Sequence, residues 1–145
     1  MKNIFILIRG NSSSGKTTLA KCLQKHFGTH QCLLLQQDVL RREILHAHDT
    51  VNTPAVDLID TLIGFGIKHY QIIILEGILR KDVYGSMLKR NCQKFGSNAL
   101  VYYLDIPFKM TLAHDKQKSV SFGEDLLNDW WIENDVLSDN DQKIN

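Results

Sequence analysis

Eight consecutive residues, Gly10-Asn11-Ser12-Ser13-Ser14-Gly15-Lys16-Thr17, constrain this chain more than any other segment. They follow an apolar run, Phe5 to Ile8, closed by Arg9. They precede a stretch in which Leu19, Leu23 and Phe27 recur every four residues. The first pattern predicts a buried strand, and the second one face of a helix stopped at Gly28. The loop between them matches Gly-x4-Gly-Lys-Ser/Thr, and each part has a physical use. Gly10 and Gly15 allow backbone geometry closed to other residues, so successive N–H groups converge on an anion. The helix start adds unpaired donors and a positive dipole end. Lys16 supplies a full charge, and the Thr17 hydroxyl suits Mg2+. Gly10, Asn11, Ser12, Ser13, Ser14, Gly15, Lys16, Thr17 and Thr18 are therefore the expected phosphate-binding residues.

The rest of the chain alternates in the same way. Cys32 to Leu35, Ile72 to Leu75 and Leu100 to Leu104 read as three further buried strands. Between them, a helical stretch succeeds Gln36-Gln37-Asp38 and runs through Leu45. Another has Ala55, Leu58, Ile59, Leu62 and Ile63 on one face, Asp57 and Asp60 opposite, and Pro54 in its first turn. A third covers Tyr84 to Phe95. Short continuous apolar strands separated by helices predict an α/β fold, with a parallel sheet of about four strands covered on both faces. No repeat or linker interrupts the sequence, which reads as one domain, 1–145.

Composition excludes several classes. The apolar run Ile4 to Ile8 is far below the roughly 18 residues of a membrane span. It is also shorter than the roughly 7 apolar residues of a signal-peptide core. Three cysteines, Cys22, Cys32 and Cys92, show no C-x-x-C pairing and read as buried free thiols in a cytoplasmic protein. The six histidines lack metal-ligand spacing. The formal charge of +1 conceals an asymmetry. Seven acids and one base lie from Ser119 onward, whereas residues 1–118 carry a net +7. A basic body suits a polyanionic ligand, and equally an ordinary solvated surface.

Among chemistries served by such a loop, a GTPase would need an Asn-Lys-x-Asp segment, and the chain has none. Asp82-Val-Tyr-Gly85 copies a switch pattern only by coincidence. A small-molecule kinase needs a base for the acceptor hydroxyl, cations for the phosphoryl group and a closing segment. Asp38 follows the second strand at the sheet edge where ligands bind. It either orients the acceptor hydroxyl or caps the next helix. Arg41 or Arg42 offers a grip on an anion or forms a solvated face. Glu76, ending a buried strand, points to the same edge as the loop, with a turn or cap acid as its other reading.

Three segments carry a resemblance: Arg9-Gly-Asn-Ser-Ser-Ser-Gly-Lys-Thr-Thr18, Gln37-Asp-Val-Leu-Arg-Arg-Glu43 and Ile74-Leu-Glu-Gly-Ile78. In their order and intervals they resemble small bacterial P-loop kinases grouped with zeta toxins, chloramphenicol phosphotransferase and polynucleotide kinase. Uridine kinase-like members of that group are the most similar in pattern, and the Gly10 to Thr17 loop corresponds to the group's Walker A segment. The resemblance runs from about Lys2 to Leu137 and implies a three-layer, nucleoside/nucleotide kinase-like P-loop NTPase fold. It implies Mg-ATP on the loop, Asp38 as the acceptor-activating carboxylate and Arg41 as a substrate or phosphate contact. Glu76 would hold the Mg2+ water shell or a substrate hydroxyl.

The chain departs from that pattern in two places. Where relatives carry lid arginines, it has His114-Asp115-Lys116-Gln117-Lys118, and no arginine follows Arg90. Lys116 and Lys118, in a lid of about 113–123, supply charge without the guanidinium fork. Trp130 and Trp131 either frame the acceptor pocket or pack a terminal helix. Relatives also continue into a fifth strand and a further helix, which the sequence pattern does not display here. The expected activity is transfer of the ATP γ-phosphate to a hydroxyl of a small-molecule acceptor. A nucleotide-binding module without efficient catalysis and a nucleic-acid-end kinase are the competing readings. The latter lacks a concentrated basic stripe, so nucleic acid is not an expected partner.

Overall fold

The computed structural model describes residues 2–105, 135–137 and 141–144. Strand β1 (Ile4–Gly10) leads through the glycine-serine loop into helix α1 (Lys16–Phe27). Then come β2 (Cys32–Gln36), a π-helical turn (Val39–Ile44), α2 (Pro54–His69), β3 (Ile72–Gly77), α3 (Lys81–Phe95), β4 (Ala99–Leu104) and β5 (Gln142–Ile144). All pairings among these strands are parallel, in the order β2-β3-β1-β4-β5.

Alternation along the strands divides the core between two faces. Phe5, Leu7, Leu35, Ile73 and Leu75 meet Ile59 and Ile63 of α2 and Leu88 of α3. Ile6, Ile8, Ile72, Ile74 and Leu104 meet Ala20, with Leu19 and Leu23 of α1 packed alongside. Among the described residues, one helix therefore covers one face and two cover the other, a three-layer α/β arrangement. The Phe5 and Phe95 rings stack at 5.1 Å, fixing the end of α3 against β1. Truncating a fully buried side chain here, such as Ile59→Ala, costs about 2–5 kcal/mol.

Local signals explain the helix ends. Gly28 closes α1 with φ 104°, and its N–H donates to the Gln24 carbonyl. The Thr53 side chain accepts from the Ala55 N–H, and Pro54 occupies the first turn of α2, where its missing N–H costs no intrahelical bond.

Several features differ from the sequence expectation. The described sheet has five strands, because Gln142–Ile144 pairs with β4. That strand has one apolar residue in three and is exposed throughout, so it lacks the buried-run signature. Phe27 continues the periodic face of α1 yet is 44% exposed, since the helix end runs beyond the sheet-facing cluster. Cys22 is exposed, in contrast to buried Cys32 and half-buried Cys92. Asp60 does not face away from the protein. It accepts hydrogen bonds from Asn91 and Arg90 of α3. The stretch after Asp38 winds as a π-turn instead of an α-helix, with the Leu45 N–H donating to the Leu40 carbonyl at 3.1 Å. Among the described residues, no helix is long and apolar enough to cross a membrane.

Candidate functional site

The parallel register gathers most of the singled-out residues at the carboxyl ends of β1, β2 and β3. Glu76 stands opposite Ile8 of β1 and Gln36 of β2, while Gly10 stands opposite Leu104 of β4. Gly10 has φ 153°, and a Cβ there would meet Ser14 Oγ at 2.9 Å and the Leu104 carbonyl oxygen at 3.0 Å. Only glycine lets the loop leave β1 so close to β4.

Gly15 caps α1 in the left-handed region, φ 100°, and the first turn of α1 contains no acid. The positive helix end is therefore not offset from within its own turn. Lys16 is buried, and its Nζ donates to the Asn11 carbonyl at 2.7 Å and to Ser14 Oγ at 3.5 Å. The ammonium thus folds back over the loop that carries it. Asn11, Ser13 and Ser14 are buried, Ser12 is half-buried, and Thr17 and Thr18 are exposed. A loop of small residues with a buried ammonium bonded to it is chemically suited to a polyphosphate.

The Thr17 hydroxyl donates to Glu76 Oε2, which also accepts from Gln36 Nε2 at 3.4 Å. Burying a carboxylate at a strand end is costly unless it is hydrogen-bonded, and these two donors offset that cost. Glu76 lies within β3 and bonds side chains from α1 and β2, which is not the geometry of a turn or helix-cap acid. A hydroxyl and a carboxylate are hard oxygen donors of the kind Mg2+ accepts alongside water. Thr17 and Glu76 therefore fit that ion.

Asp38 enters directly after β2. Its backbone is already helical, φ −63° and ψ −40°, and its side chain makes no capping bond. The capping reading therefore falls away. Its carboxylate is exposed, with Oδ1 3.7 Å from Arg41 Nη2. Arg41 is the sheltered member of the arginine pair. Its Nη1 donates to the Ala47 carbonyl at 3.0 Å, and its Nε faces Asp49 Oδ1 at 3.8 Å. Arg42 is exposed. Lys116, Lys118, the 113–123 lid, Trp130 and Trp131 lie outside the described residues.

Sequence reasoning missed two groups of residues. In the first, Gln37 Nε2 donates to the Tyr84 hydroxyl at 3.2 Å, and that hydroxyl donates to Asp49 Oδ1 at 2.9 Å. Burial, and then the nearby charge of Asp49, push the Tyr84 phenol well above its ordinary value, so it remains a donor. Asp49 sits in His46-Ala-His-Asp-Thr50, a segment with no period to mark it.

The second group centres on Arg9, which is fully buried. Its Nε and Nη2 donate to the Leu79 carbonyl at 3.1 and 2.8 Å, and Nη2 also donates to Asp135 Oδ2 at 2.9 Å. The Asp135 carboxylate accepts from the Lys81 N–H as well, and the Asp135 N–H donates to the Tyr103 hydroxyl. Burial lowers the Arg9 pKa, and Asp135 opposes that shift. A charge closing an otherwise apolar strand was the available signal.

No protein-family model matches the chain, and no curated protein matches it. Solved structures do. A structure named APE1195 superimposes with TM-score 0.68 at 18% identity, covering 98% of this chain and 83% of the other. A gluconokinase from Sinorhizobium meliloti gives 0.64 at 13% identity, over 89% and 73% of the two chains. The Mycobacterium tuberculosis APS kinase CysC, solved with AMPPNP and APS, gives 0.62 at 14% identity, over 80% and 70%. At these identities the likeness is one of fold, the α/β fold of P-loop kinases.

Proposed function

We propose that this chain is a cytoplasmic ATP-dependent phosphotransferase that moves the γ-phosphate to a hydroxyl of a small-molecule acceptor. On this reading it is akin to the zeta-toxin-like and chloramphenicol phosphotransferase-like kinases. The observation that carries it is the contact between Thr17 and Glu76. It joins the loop helix to the tip of β3, and Gln36 links that tip to the strand preceding Asp38. The fold shared with a gluconokinase and an APS kinase supports the same reaction class. Three free thiols suit a reducing compartment.

Residues Gly10 to Thr18 hold the triphosphate, with Lys16 placing its charge against the phosphates. Thr17, and Glu76 through water, would hold Mg2+, whose role when bound is to offset phosphate charge. Asp38 orients the attacking hydroxyl and takes its proton, while Arg41, 3.7 Å away, sets a positive charge beside that carboxylate. Arg42, Lys116 and Lys118 complete the cationic groups assigned to the acceptor side and the lid. The protein contributes positioning and electrostatics, with no covalent intermediate on its side chains.

The test is ATP consumption across a library of hydroxyl-bearing metabolites, with mass spectrometry of any product. Asp38→Asn should keep ATP binding and lose transfer by about 100-fold or more. ATP binding with no phosphorylated product across the library would overturn the assignment.

A further inference from the structure

A general base serves a hydroxyl only when its carboxylate is held in the right place, and a misplacement of about 1 Å costs about 100-fold in rate. Among the described residues, no hydrogen bond holds the Asp38 carboxylate, which is 54% exposed and 3.7 Å from Arg41 Nη2. Arg41 donates from Nη1 to the Ala47 carbonyl, while its Nε is buried without a hydrogen-bond partner, 3.8 Å from Asp49 Oδ1. The place of Asp38 is therefore inherited from the backbone between Gln37 and Asp49, where Leu40 also enters the core.

The two ends of that stretch meet at one atom. The Tyr84 hydroxyl of α3 accepts from Gln37 Nε2 at 3.2 Å and donates to Asp49 Oδ1 at 2.9 Å. Tyr84 is fully buried and Gln37 is buried beside it. A Cβ at Gly77 would lie 2.7 Å from Gln37 Cβ, so the end of β3 packs directly on Gln37. Chemistry fixes the direction of the two bonds. A carboxylate only accepts, so the single phenol proton goes to Asp49 and Gln37 must offer its amide N–H. Burial, and then the charge of Asp49, keep that proton on the phenol. The amide holds this orientation although it leaves Gln37 Oε1 buried without a partner among the described residues.

Resting on the kinase reading for the role of Asp38, we infer that the Tyr84 hydroxyl is a clamp that positions the turn bearing Asp38. Tyr84 is a positioning residue, acting on transfer through the residue before the base and through Asp49 at the far end of the stretch. Asp49 serves the clamp as a hydrogen-bond acceptor, a task that its charge does not decide. Removing the hydroxyl frees both ends together, because neither Gln37 nor Asp49 bonds the other.

The experiment uses the full chain with Mg2+ and ATP. Phosphate release with water as the acceptor reads turnover, and amide hydrogen exchange over residues 38–49 reads the clamp. Tyr84→Phe keeps the ring and removes only the hydroxyl. It should speed exchange in that stretch several-fold. It should also lower kcat at least about tenfold while KM for ATP stays within about twofold. Asp49→Ala should do the same, whereas Asp49→Asn, which retains an acceptor oxygen for the phenol, should keep turnover within about threefold of wild type. Asp60→Asn loosens α3 elsewhere and should leave both readings as in wild type. Unchanged exchange or unchanged kcat in Tyr84→Phe would overturn the inference. So would equal losses in Asp49→Ala and Asp49→Asn, or an Asp60→Asn variant as slow as Tyr84→Phe. The kinase reading is judged separately. Faster exchange in Tyr84→Phe, in a protein whose wild type releases no phosphate from ATP, would uphold the clamp and overturn the transfer reaction instead.

Discussion

The Thr17 hydroxyl donates to Glu76 Oε2 across 59 residues of sequence. The start of α1 and the tip of β3 are therefore joined by one hydrogen bond at the place suited to a divalent cation.

Glu76→Gln keeps the shape of that contact and removes the charge. Nucleotide affinity measured by calorimetry without Mg2+ should change little. The additional affinity conferred by Mg2+ should fall by about 10-fold to 100-fold. Equal Mg2+ dependence in the variant and wild type would detach Glu76 from cation binding.

Arg9 and Asp135 form a pair whose arginine is fully buried and whose aspartate is 19% exposed. Stranding the buried charge should be worse than removing it. Asp135→Ala leaves the guanidinium uncompensated and should cost about 3–5 kcal/mol. Arg9→Met removes the buried charge, and its cost should be smaller. Urea midpoints in the two variants decide this, and equal losses would contradict it.

Asp60 bridges α2 to α3. Burial alone would raise its pKa, but hydrogen bonds from Asn91 and Arg90, with the charges of Arg90 and Lys94, outweigh that. They hold its carboxyl below the ordinary value of 3.8. The native state therefore binds this proton more weakly than the unfolded chain. The resulting stability is fully present above about pH 4 and is lost as pH falls through the lower native value. The pair is partly solvated and screened, so Asp60→Asn should cost no more than about 1 kcal/mol at neutral pH. Its difference from wild type should shrink as the pH falls below 3.8. A difference independent of pH would rule out the charge as its source.

The cysteines should separate by reactivity. Burial, and then Asp141, push the Cys92 thiol up to about 11, and burial raises Cys32. Less thiolate is then available to either in mildly alkaline buffer, whereas Cys22 is exposed. Iodoacetamide on the native protein should label Cys22 first, with all three labelled in denaturant. Peptide mass spectrometry reads the order, and native labelling of Cys92 at the rate of Cys22 would refute it.

What the sequence made legible was whatever repeats over a few residues. The apolar runs of β1, β2, β3 and β4, the glycine spacing of the loop and the period of α2 are local patterns, and the structure follows them closely. Glu76 was legible as a carboxylate ending a buried run. Asp49 and Tyr84 were not, because their meaning comes from a contact between residues 35 positions apart. Arg9 was visible as a charge beside Gly10, yet its partner Asp135 lies 126 residues away. Strand β5 was missed for a different reason, since pairing with β4 defines it and hydrophobicity does not.

The turn from Val39 to Ile44 closes its hydrogen-bonded ring over one residue more than an α-turn would. The segment therefore behaves as a one-residue insertion stored in the backbone. Its exposed side chains, Arg42 and Glu43, can be exchanged without disturbing that arrangement, but its length cannot. Deleting a single residue would restore α-helical winding and rotate the downstream chain by about 100°. A deletion after Arg41 would carry Ala47 and Asp49 away from it, making this stretch tolerant of substitution at its exposed positions and intolerant of deletion.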